Sequence, residues 1–183
     1  MARSLILVRH PPVAAAWNGR CYGRSDVGLS RAGRAMIAPL VDQLAAMRPD
    51  HVLHSGLRRA RMVAEPLGRR LGLDPVPAPL WQERDFGDWE GRSWNAIYRA
   101  TGNAMDGMID DPDRFRPGIS GETTGELIAR VGRALQALPT DGPVVVVSHG
   151  GSIAAARHFL KKGSIDALAA QIVPLGSIVE LAI

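Results

Sequence analysis

Cysteine is almost absent from this chain. Cys21 stands alone among 183 residues, so no internal disulfide can form, and no Cys/His pattern has the spacing of a zinc site. Lysine is nearly as scarce: twenty of the 22 basic residues are arginine, and only Lys161 and Lys162 are lysine. Long apolar runs are missing too. Runs such as Leu5 to Val8 and Val144 to Val147 are far too short to cross a bilayer, so no membrane partner is expected. No basic run exceeds two residues, and neither an aromatic RNA-binding motif nor a helix-turn-helix pattern is present, which argues against a nucleic-acid partner despite a net charge of +4. There is no internal repeat and no linker-like stretch. Met1-Ala2-Arg3 leads directly into an apolar run, so no signal peptide is expected and the cytoplasm is the expected setting.

What is present is ordinary for a globular domain: 46% hydrophobic and 22% charged residues, in a chain long enough for one core over residues 1–183. The arginine bias has two readings. High-GC coding enriches Arg, Ala, Gly and Pro together. Arginine also suits anion binding, through its planar donor fork.

The organising stretch is Ser4-Leu5-Ile6-Leu7-Val8-Arg9-His10-Pro11-Pro12. A short Leu/Ile/Val run reads as a buried strand, and two prolines, which cannot donate to a sheet ladder, end it near His10. Arg9 and His10 then lie at the C-terminal edge of a strand, where open α/β sheets bind ligands. Gly142-Pro143-Val144-Val145-Val146-Val147-Ser148-His149-Gly150-Gly151 repeats the design, with a glycine turn after the histidine. Between them, helices are expected from Arg31 to about Met47 (Ser30 as N-cap, Pro39 as kink or join), Leu57 to Leu71, Ser93 to Thr101 and Thr124 to Leu138. Further helices are expected over Gly151 to Leu160 and Ile165 to Gln171. His51 to Ser55 and Ser177 to Leu181 read as strands and Pro75 to Pro79 as an extended edge. Gly102 to Ser120, rich in Gly, Asp and Pro, reads as a flap over one end of the sheet. Alternating strands and helices give the fold class: α/β, a three-layer sandwich with a mostly parallel central sheet and helices on both faces.

With His10 and His149 side by side, and Arg9 and one of Arg58 or Arg59 next to them, the site suits a phosphoryl group. Guanidiniums grip its oxygens, one neutral imidazole can attack phosphorus, and the other can donate to the developing charge. A carboxyl from the aromatic-rich stretch Trp81 to Gly91 would protonate the leaving oxygen. No metal or cofactor is called for. His51, His54 and His158 lack such surroundings and read as structural, as does Cys21.

These residues carry a resemblance. Val8-Arg9-His10, Gly23-Arg24-Ser25-Asp26, Ser55-Gly56-Leu57-Arg58-Arg59-Ala60, Glu83 with Phe86-Gly87-Asp88-Trp89-Glu90-Gly91, Gly121-Glu122-Thr123 and Ser148-His149-Gly150-Gly151 stand in the order of motifs in the histidine phosphatase superfamily, the phosphoglycerate-mutase-like fold. The resemblance implies His10 as a nucleophile forming a phosphohistidine and Glu83 as acid and base. Arg9, Arg59 and His149 would hold the phosphoryl group, and Asn18, Arg24 and Gly150 would complete the phosphate-binding set. The chain departs from the pattern at Pro11, where glycine is usual, at Pro12-Val13, and in the distance of Asn18 from His10. Short length and the Arg-His-Pro start make it most similar to α-ribazole phosphatase-type members. These imply a metal-independent phosphomonoesterase acting on α-ribazole 5′-phosphate or cobalamin phosphate, with Trp17, Tyr22, Trp81, Trp89 and Trp94 available to pack a heterocycle, while Trp89 and Trp94 read equally well as core. A broad sugar phosphatase, a phosphoglycerate mutase and a non-catalytic phosphate- or phosphohistidine-binding protein are the alternatives. The partner is a small-molecule phosphomonoester, and a homodimer is left open.

Overall fold

A computed structural model describes residues 4–161, 165 and 168–183. Its centre is one five-stranded sheet in the order β3-β2-β4-β1-β5. The strands are β1 (Ser4–Arg9), β2 (His51–His54), β3 (Val76–Pro77), β4 (Val144–Ser148) and β5 (Ile178–Ala182). β1, β2, β3 and β4 run parallel, and β5 closes the edge antiparallel to β1. β3 is two residues long and ends on Pro77. A proline there forfeits only one edge donor, which a sheet tolerates at its margin.

Strand alternation divides the core. Leu5, Leu7, Val144 and Val146 face one side and pack against Leu127, Val131 and Ala134 of α6 (Thr124–Gln136) and Ile153, Ala155 and Ala156 of α7 (Gly150–Lys161). Ile6, Val8, Val145 and Val147 face the other side, under Leu40, Val41 and Leu44 of α2 (Ile37–Ala46) and Ala60, Val63, Ala64 and Leu67 of α3 (Arg58–Leu71). This is the three-layer α/β sandwich expected.

Local chemistry sets the boundaries. Ser30 caps the short α1 (Arg31–Ala35) by accepting from Gly33 N at 2.9 Å. The single helix expected over Arg31 to Met47 is two helices. The break lies at Met36, because Pro39 has no N–H for the Ala35 carbonyl and sits instead in the first turn of α2. α3 ends at Gly72, which takes a left-handed conformation (φ +70°). Thr123 and Glu126 form a reciprocal capping box at the start of α6. Ser93 caps α4 (Trp94–Thr101). The expected flap holds a 3-10 turn at Ala104–Asp106 and the single-turn α5 (Gly107–Asp110). The helix expected over 165–171 falls partly outside the described residues; a 3-10 turn occupies Ala169–Gln171.

Candidate active site

The parallel register pairs Arg9 with Ser148, so His10 and His149 leave neighbouring strands side by side. The His10 amide donates to the Ser148 carbonyl (3.1 Å), and the two imidazole centroids are 5.2 Å apart. His10 Nδ1 lies 2.8 Å from the Pro11 carbonyl oxygen. A carbonyl can only accept, so Nδ1 carries the proton and Nε2 keeps its lone pair. Burial, the Arg59 charge and the Arg9 charge together push the His10 pKa down to about 3, against the pull of the Pro11 carbonyl. The ring is therefore neutral across the physiological range. Proline at position 11 deletes a backbone donor yet leaves the carbonyl that fixes the tautomer.

His149 is wholly buried and holds the opposite tautomer. Arg59 Nε donates to its Nδ1 (3.2 Å), so its proton sits on Nε2, which donates to Ser55 Oγ at 2.7 Å. Burial first, then Arg59, His10 and Arg9, hold its pKa well below the ordinary value. An anion entering among these groups would supply the missing negative charge, and with Arg59 Nε turned from Nδ1 to that anion His149 could take a second proton.

Of the three arginines in the opening turns of α3, Arg58 and Arg61 are exposed and Arg59 is fully buried. Its Nη groups donate to the carbonyls of Ser25 (2.7 Å) and Gly23 (2.5 Å), so one side chain ties α3 to the loop after β1. Glu90 braces that loop from the far side. Its carboxylate accepts from the amides of Arg24 and Ser25 (2.8 Å each) and from Ser25 Oγ (2.6 Å). Gly23 (φ +25°) leaves room for this, since a Cβ there would fall 2.2 Å from Glu90 Oε1. Tyr22 stands against the cluster, its ring 6.3 Å from that of His10 and 5.1 Å from the Arg59 guanidinium carbon.

Glu83 belongs to no helix or strand, yet its position is held from several sides. Arg130 donates to the carbonyls of Leu80 (2.7 Å), Gln82 (2.9 Å) and Glu83 (3.3 Å), and its charge is matched by Glu122 at 2.7 Å. Ser148 Oγ holds the Trp81 carbonyl (2.7 Å), and Ser152 holds that of Gln82. The Glu83 carboxylate itself accepts from the amides of Arg84 (2.8 Å) and Gly151 (3.1 Å). Gly151 cannot be anything larger without conflict: a Cβ would lie 2.3 Å from Glu83 Oε1. At Gly150 a Cβ would meet the Arg9 guanidinium carbon at 3.0 Å. Arg9 donates to the Val173 carbonyl, while its buried Nε has no partner among the described residues.

Arg9, Glu83, Gly150 and Gly151 line a cavity of about 460 Å3 with Tyr22, Phe86, Trp94 and, from the short helical turns after α4, Met105, Met108 and Ile109. Two expected phosphate ligands lie elsewhere. Asn18 is exposed and is not among the residues lining the cavity. Arg24 turns away, toward the Glu83 carbonyl (3.3 Å), Asp85 (3.4 Å) and Glu122 (3.5 Å). Two of the aromatics expected around a heterocycle, Trp81 and Trp89, are core residues, 1% and 5% exposed; Tyr22 and Trp94 do line the cavity. Sequence reasoning passed over Ser55, Glu90 and the Arg130 clamp. The one signal for Arg130 was its place eight residues after Glu122 on a helix beginning with that motif.

A family model for branch 1 of the histidine phosphatase superfamily matches residues 5–183, and the chain belongs to this superfamily. It is 30% identical over 175 residues to the glucosyl-3-phosphoglycerate phosphatase of Mycobacterium tuberculosis, covering 88% of this chain and 76% of that protein. The native structure of the mycobacterial glucosyl-3-phosphoglycerate phosphatase matches with a TM-score of 0.86 at 29% identity, over 100% of this chain and 91% of that one. The α-ribazole phosphatase of Shigella flexneri has the same fold (TM-score 0.84, 24% identity, 97% and 89% covered). The chain is a histidine-phosphatase-type phosphatase, a phosphoric monoester hydrolase with a small-molecule phosphate substrate.

Proposed function

We propose a metal-independent phosphomonoesterase that works through a phosphohistidine on His10. One observation carries the reading. His10 is a buried neutral imidazole with its proton committed to Pro11, beside Arg9, Arg59 and His149. In the first step Nε2 forms a bond to phosphorus while the ester P–O bond breaks. Its electron pair stays on the leaving oxygen, which takes a proton from the Glu83 carboxyl group. In the second step water attacks phosphorus and gives its proton to the Glu83 carboxylate. The P–N bond breaks, and its electron pair returns to Nε2. Arg9, Arg59 and a protonated His149 stabilise the charge on the phosphoryl oxygens in both steps.

Two substrate readings have support. The Phe86–Trp94 pair (centroids 5.6 Å apart) on the cavity wall suits the flat heterocycle of α-ribazole 5′-phosphate or cobalamin phosphate. The likeness to glucosyl-3-phosphoglycerate phosphatases supports a phosphorylated sugar acid instead. Rapid acid quenching after mixing with labelled substrate should trap a phosphoenzyme, and His10→Ala should abolish it and lower kcat/KM by at least about 10⁴-fold. A phosphoenzyme that persists in His10→Ala would sink the mechanism. Comparing α-ribazole 5′-phosphate, glucosyl-3-phosphoglycerate and p-nitrophenyl phosphate in a chelator separates the substrates. Activity lost to the chelator would count against the metal-free reading.

A further inference from the structure

The segment that carries Glu83 carries a second carboxylate, Glu90, which is half-buried and is not among the residues lining the cavity. Its oxygens are spent on backbone and on one hydroxyl. Oε1 accepts from the amides of Arg24 (2.8 Å) and Phe86 (3.3 Å), and Oε2 from the amide (2.8 Å) and Oγ (2.6 Å) of Ser25. Backbone pairing between the two segments leads up to it. The Trp94 amide donates to the Gly19 carbonyl (2.9 Å), the Cys21 amide to the Arg92 carbonyl (2.9 Å) and the Gly91 amide to the Cys21 carbonyl (2.7 Å). Beyond Cys21 the chain turns, and the Glu90 side chain takes over as acceptor for the amides of the turn.

The carbonyls of that turn point the other way, at Arg59. α3 fixes where Arg59 begins, but its guanidinium lies at the end of a long side chain and is aimed by what it bonds. Nε goes to His149 (3.2 Å), and the Nη groups go to the carbonyls of Ser25 (2.7 Å) and Gly23 (2.5 Å). Three of its five N–H groups are thus committed, none to a carboxylate among the described residues, and two are left for an anion. The Gly23–Arg24 peptide stands between the two charges. Its carbonyl accepts from Arg59 and its N–H donates to Glu90, so the peptide dipole is aligned with both charges and each bond strengthens the other. A direct ion pair would occupy the guanidinium face that a phosphoryl group needs. A peptide in between leaves that face open. We propose that Glu90 is a positioning residue for the phosphate end: through the Gly23–Arg24 peptide it aims the Arg59 guanidinium and adds counter-charge at one remove, without touching the substrate. Two carboxylates of one segment then serve opposite ends of the reaction, Glu83 the leaving oxygen and Glu90 the phosphoryl group.

The proposal rests on the phosphatase reading, with Arg59 as a phosphate ligand, and its test keeps the two apart. Calorimetric titration with inorganic phosphate compares the unaltered enzyme with Glu90→Gln, which keeps the shape and removes the charge. Glu90→Gln should bind phosphate about 10- to 100-fold more weakly. Glu90→Asp, which keeps the charge on a shorter stem, should fall between the two, and is read alone against the unaltered enzyme should the glutamine variant fail to fold. A dissociation constant does not depend on the fraction of protein folded, so lost stability alone cannot mimic the result. On phenyl phosphate and p-nitrophenyl phosphate, kcat/KM should fall by a similar factor, leaving the ratio between the two esters as it is in the unaltered enzyme, whereas Glu83→Gln changes that ratio. Unchanged phosphate affinity in the Glu90 variants, or a ratio that shifts as in Glu83→Gln, would overturn the proposal. Weakened binding in a protein whose unaltered form releases phosphate from neither ester keeps the positioning role and sinks the phosphatase. Release with unchanged affinity does the reverse, and an unaltered enzyme that binds no phosphate overturns both.

Discussion

The two ends of the site are built differently. At the phosphate end, His10 and His149 hang from adjacent parallel strands and Arg59 from the first turn of a helix, so regular hydrogen bonding fixes all three. At the leaving-group end, Glu83, Phe86 and Trp94 come from an irregular segment and the start of α4, and Met105, Met108 and Ile109 from single helical turns. One end is a rigid charge cluster suited to a group that every phosphomonoester shares. The other is assembled from loops and side-chain clamps, where change costs the sheet nothing. A common reaction on variable substrates calls for that division.

The comparison can be broken at its seam, where Glu83 serves the chemistry from the irregular side. Glu83→Gln should lower kcat by about 10²- to 10⁴-fold on alkyl phosphates and far less on p-nitrophenyl phosphate, whose leaving group needs no proton. Equal losses on both would remove Glu83 from the role of proton donor. Next in size is a contrast between two tryptophans of neighbouring segments. Trp81→Ala empties the core under α6 and should cost about 3–5 kcal/mol of stability by denaturant unfolding. Trp94→Ala, on a half-buried cavity wall, should mainly raise KM. If Trp94→Ala proved the more destabilising, the cavity would be part of the core.

Gly151→Ala sharpens the point from the regular side. Its methyl group would intrude on Glu83 Oε1, so the variant should reproduce the substrate pattern of Glu83→Gln at a smaller loss, about 10²-fold, while remaining folded. The last effect is one of pH and draws mainly on the phosphate end, with His54 of β2 adding to it. His10, His54 and His149 have pKa values depressed below 6.5 in the folded protein, His10 to about 3. Below pH 6.5 the unfolded chain takes up protons that the folded chain refuses. Stability is therefore full above about pH 6.5 and declines as the pH falls toward the folded values, by up to about 1.4 kcal/mol per histidine per pH unit. Thermal unfolding from pH 8 to 5 should show the decline, and inorganic phosphate, by favouring protonated His149, should flatten it.

Much of this was legible in the sequence, for a physical reason. Four-valine and Leu-Ile-Leu-Val runs ended by Pro or Gly can hardly be anything but buried strands, and residues following them must lie at the sheet edge. That placed His10 and His149. Composition alone could not choose between Arg58 and Arg59, because both occupy the same helical turn and only packing buries one of them. The break at Met36 was half visible in Pro39, which disfavours a helix through its neighbourhood without stating where the chain gives way. Trp81 reads with the cavity from sequence, and Trp89 with cavity or core alike, because an aromatic near a carboxylate looks the same whether it faces core or ligand. The Arg130–Glu122 clamp left little signal for a related reason: it acts through the backbone carbonyls of residues 80, 82 and 83, which leave no mark on side-chain identity.

The solitary Cys21 lies in the middle of this architecture, next to Tyr22 and wholly buried, with its amide and carbonyl bonded to Arg92 and Gly91. Burial and the charges of Glu90 and Glu83 push its thiol up to about 12, so in the closed loop it is both inaccessible and almost entirely un-ionised. The protein thus carries a native chronometer. A thiol reagent can reach Cys21 only when its surroundings open, locally or by global unfolding, and with one cysteine in the chain every modification reports on this one site.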